Sequence, residues 1–207
     1  MVGTDEEQVD QVLRAGGLAC PGCSAVLSPW GYARRRKVRA EGEVWRLRPR
    51  RSRCSAADGC GRTHVLLPAS CLVRRADAVE VIGGALVDKA AGAGHRAIAE
   101  AIGRPCSTVR GWLRSFAVVA GVVGVAAMRL LLEVDPLCGP APVGGSVVAD
   151  AVEVIGAAGA AVRRRLGASV ATWSPWQVVG AISGGWLLHP ARCRESINTS
   201  WLWAARV

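Results

Sequence analysis

Apolar and polar positions change their spacing along this chain, and the changes mark out its elements. Between Tyr32 and Cys54 the stretch "YARRRKVRAEGEVWRLRPRRSRC" places β-favouring residues on both sides of "AEGE". That pattern predicts a hairpin turning near Glu41-Gly42. From Asp77 the spacing becomes helical: Ala78, Val81, Ile82, Ala85 and Leu86 recur on one face, with Asp77 as the expected N-cap. Ile98, Ala99 and Ile102 form the apolar face of a short second helix. Gly103 follows, where a left-handed backbone permits a sharp turn. A third helix is expected from Pro105, a residue suited to a helix's first turn, with Val109, Trp112 and Leu113 facing inward. Residues 117–134 and 146–166 read as further helices. "TWSPWQVVGAISGGWLL" predicts another, with Ser174 as N-cap and Pro175 in its first turn. "DPLCGPAPVGG" is a Pro/Gly linker.

At 207 residues, 51% hydrophobic and 20% charged, the chain can build a packed core. Its most apolar window, residues 116–134, is broken by Arg129 and Glu133. The clean run is short of the ~20 residues a membrane span needs, so a buried helix is expected there. The N-terminus has no basic segment leading into an apolar run and does not resemble a signal peptide. The expectation is a cytoplasmic protein with no membrane partner, in which eight cysteines serve as thiols or metal ligands rather than disulfides.

The cysteines have an order. "CPGC" supplies Cys20 and Cys23, and "CSAADGC" supplies Cys54 and Cys60. A C-x2-C pair makes a knuckle whose two thiolates converge on one ion, and Gly22 allows the turn. Two knuckles joined by a hairpin are the layout of a zinc ribbon. The second spacing is wider than usual, so the fourth ligand is Cys60 or, as the alternate, His64 of "CGRTH". Four protein ligands leave no open position for water, which makes the expected Zn2+ structural. Cys71, Cys106, Cys138 and Cys193 show no such spacing and read as inert thiols.

The net charge is +10, and its location matters more than its size. Residues 34–53 carry ten basic side chains against two acidic ones. Arg34, Arg35, Arg36, Lys37, Arg39, Arg46, Arg48, Arg50, Arg51 and Arg53 are expected to line the hairpin and, with few acids nearby, to contact phosphates. Residues 95–114 add four Arg and one Glu. A polyanion is the natural partner.

The two helices hinged at Gly103 have the spacing of a helix-turn-helix, with small Ala99 where the helices cross. The second helix would present Ser107, Thr108, Arg110, Gly111 and Arg114 outward. Ser and Thr suit phosphates near a helix N-terminus, and Arg110 suits a bidentate contact to guanine. Arg96 and Arg104 complete the expected DNA-facing set. Arg104 stands where an apolar residue is usual, so its stem is expected to cover the core while its head snorkels. Gly111, costly in a helix, suggests close approach to a DNA backbone.

The segment resembles the helix-turn-helix of transposases and site-specific recombinases. The longer run resembles a family of uncharacterised high-GC bacterial (actinobacterial-type) proteins, a domain of unknown function with an N-terminal zinc ribbon. The matching pieces are "CPGC", "CGRTHVLLP", "RRADAVEVIG", "STVRGWLR" and "NTSWLWAA". The resemblance implies binding to double-stranded DNA. That family's second knuckle is usually tighter than Cys54–Cys60.

The expected fold is mainly α, with a small β zinc ribbon followed by a helix-turn-helix and a helical C-terminal region. Its parts are an acidic N-terminal segment (1–18), the ribbon (19–68), the helix-turn-helix domain with a following helix (72–134), the linker (135–145) and the C-terminal helices (146–207), a possible homodimer surface. The expected function is sequence-specific DNA binding without catalysis, as a transcriptional regulator or a transposase-derived protein. Asp135, Asp150, Glu153 and Glu195 keep open a truncated transposase with metal-dependent nuclease activity. A zinc-stabilised module binding protein or RNA is the other alternative.

Overall fold

The computed structural model describes residues 6–55, 57, 59–138 and 145–196. Its N-terminal third is built from five short strands: β1 (Leu27–Tyr32), β2 (Arg36–Arg39), β3 (Val44–Leu47), β4 (Arg50–Cys54) and β5 (Thr63–Leu66). They form two sheets. β1, β4 and β5 make an antiparallel sheet in that spatial order, pairing Leu27 with Cys54 and Arg53 with Thr63. β2 and β3 form the expected hairpin, turning through Glu41 and Gly42, the latter at a φ of 69°. The hairpin does not extend the sheet that bears the cysteines. Val38 and Leu47 bury one of its faces against Leu67, Cys71 and Ala78. Arg39 and Ala78 are also joined by a backbone bond, Ala78 N–H to Arg39 C=O at 2.9 Å. Arg50, Arg51 and Arg53, expected to line the hairpin, therefore lie on β4 of the other sheet.

The acidic N-terminal segment contains an element that its charge concealed. Helix α1 (Glu6–Arg14) places Val9 and Leu13, four residues apart, on one buried face. Leu13 packs with Leu27, Cys20 and Cys54 beneath the three-stranded sheet.

The remaining helices are α2 (Val79–Ala90), α3 (His95–Ala101), α4 (Cys106–Val134), α5 (Val147–Leu166), α6 (Pro175–Ile182) and α7 (Pro190–Ser196), with a 3-10 turn at Gly167–Val170. The mainly α class stands. Two expected helices, from Pro105 and over 117–134, are one helix of 29 residues. Nothing breaks it: Gly111 costs helix propensity but removes no backbone bond, and the buried positions Val109, Trp112, Phe116, Val119, Ala120 and Val123 continue the same face. By length and composition α4 is long and apolar enough to cross a membrane, yet 44% of its most apolar window is buried inside the protein.

One continuous core runs from Leu72 to Cys193 and takes in α2 to α7. The helices after the linker thus spend their apolar faces on α2 and α4. Residues 139–144 of the linker and 197–207, with "NTSWLWAA", lie outside the described residues. Trp176 is buried in this core and packs edge-on to Phe116 at 6.5 Å. It lies directly over α2, where a Cβ on Gly83 would strike its ring. Helix caps follow the local sequence. Ser146 caps α5, and Ser174 and Gln177 form a reciprocal capping box on α6 with Pro175 in the first turn. Asp77 does not cap α2. Ala78 occupies the N-cap without a side-chain bond, because the Asp77 carboxylate is engaged by arginines.

Candidate metal centre and basic helix face

Cys20 and Cys23 sit in a tight turn between α1 and β1. Cys20 N–H donates to Ala25 C=O at 2.7 Å, Ser24 N–H to Cys20 C=O at 2.8 Å, and Ser24 takes a φ of 62° to close the turn. Gly22 N–H points at Cys20 Sγ, 3.4 Å away. Cys54 ends β4, where its pairing with Leu27 brings it beneath the knuckle. Cys60 comes from the loop that follows. The four sulfurs lie within 4.8 Å of one another. Cys20 and Cys60 are 3.6 Å apart, and Cys23 and Cys54 3.4 Å. A tetrahedron of ~2.3 Å metal–sulfur bonds has sulfur–sulfur edges of about 3.8 Å, so the set fits a tetrahedral ion.

The electrostatics fit as well. Backbone N–H groups of Ala25 and Cys60, joined by the Cys54 thiol, draw Cys23 down to about 6, so it is a thiolate at neutral pH. Burial, and the proton it shares with Cys23, push Cys54 up to about 12. A metal ion replaces that shared proton. His64 stands beside the cluster with Nε2 3.4 Å from Cys20 Sγ. Burial, then the nearby Arg62 charge, lower its pKa and favour the neutral ring. Among the described residues, these four cysteines are the one set of such donors close enough to hold a metal ion. Asp135 is instead paired with Arg164, and the Glu195 side chain lies outside the described residues.

The second feature is the pair α3 and α4. Gly103 between them has a φ of 62°, in the region that favours glycine. Ile98 and Ala99 on α3 and Val109 and Trp112 on α4 are buried together. Ser107, Arg110, Gly111 and Arg114 face solvent, Thr108 is half-buried, and Arg96 is exposed on α3.

Two arginines expected to face DNA are turned inward. Arg104 does not snorkel: its Nε donates to Asp77 Oδ1 at 2.7 Å and its Nη2 to Ala40 C=O at 3.2 Å. A buried carboxylate outcompetes water for the guanidinium. Arg36 donates to the carbonyls of Leu72 and Arg75. Arg34, Arg35 and Lys37 remain exposed. By its local sequence Asp77 suits only a cap. Its partners lie 38 and 27 residues away, so local spacing carried no signal of them.

Fold and site together define a mainly helical protein with two small antiparallel sheets and a four-cysteine cluster able to hold a metal ion. No protein-family model matches the chain, and no curated protein or solved structure gives a significant match.

Proposed function

We propose that this is a sequence-specific duplex-DNA-binding protein, with a structural Zn2+ in a ribbon held by Cys20, Cys23, Cys54 and Cys60. The observation that carries the reading is the turn at Gly103. It joins two helices around a shared core and leaves Ser107, Arg110 and Arg114 on an open basic face. A helix so presented fits a major groove, with its N-terminal turn near phosphates. The resemblance of "STVRGWLR" to transposase and recombinase helices supports the same reading. Exposed Arg34, Arg35 and Lys37 supply further phosphate contacts. Val118, Val125 and Leu132 are exposed at seven-residue spacing along α4, which supports pairing of two copies on two half-sites.

The test selects bound duplexes from a random pool and repeats the selection with variants. Arg110→Ala is expected to cost about 1–3 kcal/mol at the preferred site and to relax one base position. Arg114→Ala, one turn further on, is expected to weaken all duplexes alike. If no duplex is enriched by the wild-type protein, the reading fails. If Arg110→Ala leaves the preferred bases unchanged, Arg110 contacts the backbone instead.

A further inference from the structure

The three-stranded sheet turns one face to α1 and the other to water. Along β4, Ser52 and Cys54 are buried and face inward, so Arg51 and Arg53 point outward. Their partners on β5, Val65 and Thr63, are exposed. On the edge strand β1, Trp30 is 50% exposed and Tyr32 46%. Trp30 thus leaves half of a large apolar ring in water, surface that a ligand could cover. The rings are not simply stranded. The Arg53 guanidinium lies 4.8 Å from the centre of Trp30, and Arg48 and Arg50 lie 4.6 and 4.4 Å from that of Tyr32. Arg50 is also paired with Asp10 at 2.6 Å. The extra residue between Pro29 and Tyr32 sets Tyr32 opposite Arg50 on the side of α1, and leaves Trp30 on the open face with Arg51 and Arg53.

We propose that this face, centred on Trp30, binds single-stranded nucleic acid. An unpaired base would stack on the Trp30 ring, and Arg51 and Arg53 would hold the phosphates. Interleaved aromatic and basic groups are what an unpaired strand needs. In a duplex the base faces are already stacked and out of reach of rings on a flat sheet. The charge argues against an apolar protein partner. The proposal goes beyond the duplex reading assigned to α4 and does not depend on it.

The test uses the full-length, metal-loaded protein with three labelled probes: oligo(dT), oligo(U) of the same length, and a blunt random-sequence duplex. Wild type is expected to bind at least one single strand. Trp30→Ala should weaken that binding about 10-fold or more, from the loss of one base stack. Trp30→Phe should restore most of it, and duplex affinity should not change. Preference between oligo(dT) and oligo(U) assigns the strand as DNA or RNA. Retained circular dichroism and metal content guard against a folding defect. The proposal is overturned if wild type binds neither single strand. It is equally overturned if Trp30→Ala binds both strands as wild type does, or if polyglutamate binds as tightly with the same dependence on Trp30. Loss of duplex binding alone would count against the α4 reading and leave this one standing.

Discussion

Arg104 Nε lies 2.7 Å from Asp77 Oδ1, and the pair is enclosed, with side-chain exposures of 15% and 3%. The second oxygen of Asp77 takes Arg39 at 2.7 Å. One carboxylate therefore holds the turn before α4 against both the start of α2 and the β2–β3 hairpin. Any phosphate contact by the hairpin is made at a fixed offset from α4.

Removing Arg104 leaves a buried carboxylate with one remaining partner, itself 40% exposed. Arg104→Ala is expected to lower unfolding stability by about 3 kcal/mol. Arg39→Ala removes the more solvent-screened pair and should cost about 1 kcal/mol or less. Denaturant melts of the two variants decide it: equal losses would mean that burial does not set the strength of these pairs.

Elemental analysis should find one zinc per chain. Cys60→Ser is expected to abolish it. His64→Ala should keep the metal but weaken its affinity about 10- to 100-fold, the usual cost of losing a group that supports a ligand. The reverse ranking would move His64 into the ligand set and Cys60 out of it.

Two helical glycines should respond with opposite signs. A Cβ at Gly83 would strike the Trp176 ring, whereas one at Gly111 meets nothing within 4 Å. Gly83→Ala is expected to destabilise by about 1–3 kcal/mol through overpacking. Gly111→Ala should stabilise by up to about 1 kcal/mol. If α4 approaches a DNA backbone at Gly111, that more stable variant will bind duplex more weakly. A stabilised variant with unchanged affinity would place Gly111 away from the DNA.

Glu80 gives the helical core a pH dependence. Burial raises its pKa, and the Ser174 hydroxyl, donating to Oε1 at 3.3 Å, only partly offsets this. The folded-state pKa thus lies above the unfolded value of roughly 4.3. The stability linked to this group is full below about pH 4 and is lost as pH rises through the folded pKa. Glu80→Gln keeps an acceptor for Ser174 without the charge. Its melting temperature should exceed wild type at pH 7, with the gap closing near pH 4. A gap constant across that range would assign the effect to packing.

Features set by near neighbours were legible from the amino-acid order. The turn at Glu41-Gly42, the left-handed Gly103 and the Ser174–Gln177 capping box each depend on a few adjacent residues. So does the C-x2-C knuckle. The apolar face of α4 was legible too, because burial imposes a helical period. Its continuity was not: Gly111 weakens a local preference that packing along the whole helix overrides. Tertiary structure alone decided what the charges do. Arg34, Arg35, Arg36 and Lys37 are alike as sequence, but only Arg36 meets the carbonyls of Leu72 and Arg75. Asp77 suits a cap locally, and chain folding brings it two arginines instead. The separation of β2–β3 from the other sheet, and with it the exposure of Trp30 and Tyr32, follows from pairing β1 with β4. Long-range pairing is chosen by the packing of the whole chain, and the spacing of residues along one strand does not encode its partner.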